Sequence, residues 1–308
     1  MAEVGLLAFA RTALQVGRAV LPPYRTRFSK RQFTQPQWLA SLGLLRYADW
    51  PFREAEVRLR EHGELRQALE LESLPDFPTL YRFLQRVEER TLARVRDETV
   101  RRLHGVGPGG RARARVAVDA TGLASGAVRT FLVRRLQHHG PRPLPGRYGL
   151  KWIVGVDLDR PCGWAQRARR GPCNDGASLP AVVATASPQT RSGLVLADAA
   201  FDSERNPPSL RRRLRARRGI PAKRGQKTWR VRGVGAEMRR AFPPRLYRRR
   251  ARIESVLAAV KRKLSARAPG RLLPRQQRQA LLLGLSFNLY RLRHRHLLLR
   301  MSTEPNGF

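Results

Sequence analysis

Three acidic residues stand where their chemistry can be used: Asp119, Asp198 and Glu254. Asp119 closes the β-branched stretch "RVAVD", and Asp198 closes "LVLAD". In an open α/β sheet, the carboxyl ends of strands are where sites gather. A lone Asp at such a place also serves simply to cap a turn. Glu254 is of another kind. It lies in "LYRRRARIESVLAAVKRK", and between Arg205 and Thr303 the only acids are Glu237 and Glu254. At about 100° per residue, Tyr247, Arg250, Glu254 and Lys261 share one narrow helical face. That face borders the apolar stripe Ile253, Val256, Leu257 and Val260. Arg250, four residues before Glu254, can brace its carboxylate. Taken alone, that pair reads as an ordinary helical ion pair.

Together the three carboxylates suit different chemistry. Two from strand ends and one from a helix can hold a pair of divalent cations about 3.5–4 Å apart. Hard cations such as Mg2+ or Mn2+ prefer oxygen ligands. One ion can activate water or a 3′ hydroxyl for in-line attack on a phosphodiester, and the other can stabilise the leaving oxygen. An acid among arginines is costly near DNA phosphates unless a cation lies between them.

Composition points to the same partner. The 308 residues carry 62 Lys+Arg against 23 Asp+Glu, a formal charge of +39. Such a charge self-repels unless a polyanion neutralises it. Nucleic acid fits better than a membrane surface, because no lipidation motif or clean basic amphipathic helix is present. With 42 % hydrophobic residues the chain has material for a core and is not a disordered basic tail. The excess is mostly arginine, which favours paired donors to phosphate, and codon bias is a competing source for part of it. Cys162 and Cys173 form no CxxC pair and have no neighbouring His in sequence, so zinc is not expected; a disulfide between them is open but not needed, and a reducing cytoplasm fits. "VGLLAFARTALQVGRAVLP" is interrupted by Arg11 and Arg18, and "ALLLGLSFNLYRL" is too short, so neither reads as a membrane span.

The elements that must position the acids follow from the pattern. Length suggests about two domains. Residues 1–103 read as helical. Thr34 caps a helix over "PQWLASLGLLRYA", a second covers "WPFREAEVRLREHG", and Asp76 opens a long third through "TLYRFLQRVEERTLARVRDETVRRL". This region is either a helix-turn-helix unit for a DNA groove or a bundle for packing and dimerisation. "HGVGPGGRARAR", residues 104–115, is the joint. From 116 to 296 strands are expected at "RVAVD", "GLKWIVGVDL", "GWAQRARRG", "SGLVLAD" and "GIPAKRG". A short helix falls at "DGASLPAVVATA", and helices at 244–266 and 275–298 close the region. Residues 297–308 form a tail. The result is a mixed α/β sheet flanked by helices, preceded by an all-helical region.

These segments resemble the bacterial insertion-sequence transposases of the DDE class, with a ribonuclease-H-like core, of the insertion-sequence-four type. That family's third-acid helix reads Y-x2-R-x3-E-x6-K, and Tyr247, Arg250, Glu254 and Lys261 occupy every position. "VAVDATGL" is similar to its first-Asp segment and "LVLADAAFDSERN" to its second, with Asp202 in the supporting rather than the ligating place. "RQALLLGLSFNLYRL" is similar to its closing helix. The resemblance spans about residues 24–295. It implies catalysis and metal binding by Asp119, Asp198 and Glu254, with Mg2+ or Mn2+. It further implies cleavage at the ends of a mobile element, strand transfer into target DNA, a homodimer in the synaptic complex and a cytoplasmic, nucleoid-associated protein. Tyr247 and Arg250 would contact DNA near the cleaved end, and Lys261 a phosphate. In "PAKRGQKTWRVRG", Trp229 either stacks on a displaced base or packs at a strand edge, with Lys223, Arg224, Lys227 and Arg230 on the backbone.

Two alternatives share the charge. One is a catalytically inactive, degraded or domesticated, DNA-binding derivative, motivated by Ala199, where a basic residue is frequent in the family, and by "KWIVGVD", where a histidine or lysine pair is. The other is a basic RNA-associated protein without an active site.

Overall fold

The computed structural model describes residues 5–125, 149–171, 173, 175–201, 217–221 and 244–303. Its centre is a five-stranded sheet: β1 (Ala112–Leu123), β2 (Leu150–Asp157), β3 (Gly163–Arg170), β4 (Thr190–Ala197) and β5 (Arg217–Gly219), in spatial order β3-β2-β1-β4-β5. The pairs β1–β2 and β2–β3 are antiparallel, and β1–β4 and β4–β5 are parallel. The mixed sheet expected from the strand pattern is therefore present. Two details differ. β1 runs four residues past Asp119, because its far half still pairs with β2 from Ala120↔Ile153 to Leu123↔Leu150. β5 lies at 217–219, just before and overlapping the start of "GIPAKRG".

Six helices precede the sheet: α1 (Leu6–Val20), α2 (Gln35–Tyr47), α3 (Phe52–Glu61), α4 (Gly63–Ala68), α5 (Phe77–Arg86) and α6 (Glu89–His104). Thr34 starts α2 with a reciprocal cap: the Gln37 N–H donates to Thr34 Oγ1 at 3.3 Å, and the Thr34 N–H donates to Gln37 Oε1 at 2.8 Å. Asp76 caps α5 by accepting from the Thr79 N–H at 3.0 Å. The single long helix expected after Asp76 is broken. Val87 and Glu88 are extended, at φ −64°, ψ 127° and φ −83°, ψ 147°. The Val87 side chain is buried, and its carbonyl accepts from Arg278 Nε at 2.8 Å. A partner 191 residues away thus outweighs local helix propensity.

After the sheet's first three strands comes the short α7 (Leu179–Val183). α8 (Pro244–Tyr247), a 3-10 turn (Arg248–Arg250) and α9 (Ala251–Lys263) form one rod, and α10 (Leu273–Thr303) closes the chain. One sheet face, with Ala117, Leu123, Trp152, Val154 and Val156, packs with α9, α10 and the amino-terminal helices in a single core. The other face, with Val116, Val118, Ile153 and Trp164, is covered by Leu179, Val182 and Val183 of α7. A buried node ties the first core together. Asn288 of α10 accepts from the Gly163 N–H at 2.6 Å and donates to Gly163 O and to Thr99 Oγ1, both at 3.0 Å. Gly284 lets α10 seat closely, since a β-carbon there would run into Gln166.

Candidate active site

The last parallel pair between β1 and β4 is Val118↔Ala197. The next residue on each strand is an aspartate, so Asp119 and Asp198 stand at one level on neighbouring strands. Their face follows from the two-residue period of a strand. Val118 and Ala197 belong to the α7 side. Ala117 and Leu196 belong to the α9 side, and Asp119 and Asp198 share their parity. Both carboxylates are therefore directed to the face where α9 carries Glu254.

Local structure fixes each acid. Asp119 Oδ1 accepts from the Ala120 N–H at 2.8 Å. Asp198 Oδ1 accepts from the Ala200 N–H at 2.8 Å, where β4 gives way to a 3-10 turn anchored by buried Phe201. Asp198 Oδ2 faces Arg250 at 3.6 Å, and Arg250 donates to Glu254 Oε1 at 2.6 Å. Arg250 thus does more than brace Glu254: it joins the helix acid to the second strand acid. The 3-10 turn replaces part of the continuous helix expected over 244–266. Tyr247, three residues before Arg250 at the head of this turn, lies within reach of the charges of Arg250 and all three acids.

Electrostatics bind the group together. Burial pushes the Asp119 carboxyl up from its usual range, and the charges of Asp198 and Glu254 add to the rise against the Ala120 N–H and Arg250. Burial also raises the Tyr247 phenol, with Asp198, Asp119 and Glu254 pushing the same way and Arg250 opposing. Asp119 feels the other two acids, yet the three are not drawn within ligating distance of one another. Among the described residues, the group of ligand atoms all within 4.8 Å is His104, Asp157 and Cys162. Three like charges repel without a cation between them, and Arg250 stands there with only 14 % of its side chain exposed. An all-oxygen donor set with unneutralised negative charge suits a hard divalent ion.

Of the other sequence candidates, Lys261 is half-buried on α9, seven residues beyond Glu254. Trp229, Lys223, Arg224, Lys227, Arg230 and Asp202 lie outside the described residues.

The cluster His104–Asp157–Cys162 escaped the sequence reading, which found no histidine beside a cysteine. Folding supplies one: α6 brings His104 across 58 positions to Cys162. Two of these side chains are already tied to the adjoining turn. Asp157 Oδ1 accepts from the N–H groups of Asp159 and Arg160 at 2.8 and 3.3 Å. Arg160 can only donate, so His104 Nδ1 accepts from it at 2.8 Å, and the proton on Nε2 faces Asp157 Oδ2, also at 2.8 Å. Burial raises the Cys162 thiol strongly, keeping it protonated. The cluster braces the β2–β3 turn against α6. Replacing Asp157 with Ala orphans two amides and a buried imidazole, and is expected to cost on the order of 3 kcal/mol in a urea melt. Asp157→Asn keeps an acceptor for the amides and should cost less. Equal losses would mean that the charge facing His104, and not the turn, carries the effect.

A protein family described as the transposase DDE domain matches residues 110–289. The matched span opens beside β1 and closes within α10, and covers more than half of the chain. The chain belongs to this transposase family, and membership implies DNA as its partner. No curated protein matches the chain. Among the described residues no helix is long and apolar enough to cross a membrane.

Proposed function

We propose that this chain is the transposase of a bacterial insertion sequence, of the insertion-sequence-four type. It binds the terminal inverted repeats, cleaves phosphodiester bonds there and transfers the 3′-hydroxyl strand into target DNA. The observation that carries the reading is the register-matched pair Asp119 and Asp198 opposite Glu254. The pattern Tyr247, Arg250, Glu254, Lys261 supports the finer type.

Asp119, Asp198 and Glu254 would hold Mg2+ or Mn2+. When bound, such ions polarise the phosphate and lower the pKa of a water or hydroxyl nucleophile. The chain's own groups do the rest. Arg250 presents a planar fork that matches phosphate, and leaves its carboxylates as DNA enters. Tyr247 offers its phenol O–H to a phosphate oxygen near the scissile bond. Lys261, two turns along α9, meets the backbone further away. Lys223, Arg224, Lys227 and Arg230 hold a strand on which Trp229 stacks. A homodimer in the synaptic complex is the proposed assembly.

The test uses duplex carrying the inverted repeats that flank the gene. Wild-type protein nicks it in MgCl2 and leaves it bound but intact in EDTA. Nicking that continues in EDTA, or none with any divalent ion, would sink the proposal.

A further inference from the structure

The turn between α1 and α2 combines cations with a bare aromatic ring. No acidic residue occurs between Glu3 and Asp49, while Arg25, Arg27, Lys30 and Arg31 crowd into seven positions. All four are exposed. Phe28, among them, is 81 % exposed, more than any other large apolar side chain among the described residues.

The turn is built. The Ser29 N–H donates to Thr26 O, the Thr26 N–H to Ser29 Oγ and the Tyr24 O–H to Arg31 O, each at 3.2 Å. The Arg27 guanidinium lies 4.7 Å from the centre of the Phe28 ring, which stays largely open to solvent. Gln32 Nε2 donates to Ser73 Oγ at 3.1 Å, and Arg25 pairs with Glu88 at 3.4 Å.

Contacts also locate it relative to the acids. Glu88 follows Val87, whose carbonyl holds Arg278 at the start of α10. Next to it, Gln277 donates to Ala168 O at 2.9 Å. Ala168 pairs with Trp152, and Trp152 with Thr121, two residues beyond Asp119 on β1. The turn therefore sits at the same end of the sheet as the carboxylates.

We propose that this turn is a second duplex-DNA contact, with Arg27, Lys30 and Arg31 on phosphates and Phe28 wedged into the minor groove. A single apolar ring set among cations fits a groove of stacked bases bordered by phosphates, where apolar wedges unstack a step and bend the helix. A membrane-inserting loop needs a broader apolar face, and Arg27, Lys30 and Arg31 have no acid near them in sequence, which favours a polyanion over a protein surface of mixed charge. The inference rests on the chain acting on DNA and goes beyond the carboxylate site.

Binding of the full chain to a random-sequence duplex in EDTA, by fluorescence anisotropy across a KCl series, tests it. Changing Arg27, Lys30 and Arg31 together to Gln should make the log–log salt slope shallower by about 2.7, at roughly 0.9 per phosphate. Phe28→Ala should keep the slope, weaken binding about tenfold and reduce the bend read by energy transfer between end dyes. An unchanged slope in the triple variant, or unchanged affinity and bend in Phe28→Ala, overturns the proposal. So does a Phe28→Ala effect confined to self-association in sedimentation. Wild-type protein that ignores duplex altogether would count against the DNA reading itself rather than this turn.

Discussion

Asp119→Asn and Asp198→Asn should each leave DNA bound and cut its cleavage by orders of magnitude, while the Asp119 change should make the metal-free protein harder to melt. On the proposed reading each change removes an oxygen ligand to a cation that would offset several kcal/mol of developing charge, so cleavage should drop on the order of 1,000-fold or more. The gain in stability follows from the sign of the Asp119 shift. Its carboxyl lies above the usual range because of burial first and the two neighbouring acids second. A carboxyl raised on folding opposes the folded state once pH climbs through the raised value, and ceases to do so below its ordinary value. Asn carries no such charge. In EDTA at neutral pH, Asp119→Asn should therefore melt a few degrees above wild type, with the gap closing toward about pH 4. Calorimetry across that range and a nicking assay check both halves. Cleavage by Asp119→Asn close to the wild-type rate, or a lower melting temperature at neutral pH, would remove Asp119 from the site.

Arg250→Gln should act in the opposite direction on the empty site. Arg250 faces Asp198 and Glu254 at once and is the cation that lowers Asp119. Without it the half-buried Asp119 and Asp198 and the exposed Glu254 lose the cation between them, so the variant is expected to lose several degrees of melting temperature in EDTA. The same vacancy of charge should tighten divalent binding. Anything bound only by the folded state stabilises it by about 2.7 kcal/mol at one hundred times its dissociation constant. Millimolar MnCl2 should thus raise the melting temperature of Arg250→Gln much more than that of wild type, and titration calorimetry without DNA should give roughly tenfold tighter Mn2+. Cleavage should fall all the same, because the phosphate loses its fork-shaped partner. Equal Mn2+ affinity in both proteins would show that Arg250 does not compete for the pocket.

How much of this could be read beforehand depends on distance along the chain. "RVAVD" and "LVLAD" declare strands through β-branched runs that stop at acids, and Thr34 and Asp76 declare helix starts through their own side chains. Those signals are local. The alignment of Asp119 with Asp198 is not, since it depends on a parallel register with a shift between Ala114 and Arg115. The break at Val87 depends on Arg278, and the meeting of His104 with Cys162 on how α6 lies over β3. Arg250 was legible as a partner of Glu254, four residues on, but not of Asp198, 52 residues back. Side chains that meet only after folding leave no periodic trace.

Asn288 has one more implication. Because one buried amide grips α6, β3 and α10 together, these elements hold one another in place, and α6 begins beside Glu88, which pairs with Arg25 of the basic turn. The protein then resembles a caliper with its jaws locked. If the basic turn and the acids both hold DNA as proposed, a duplex spanning them must itself bend or slide until it fits, and the interval between them becomes a length the protein measures.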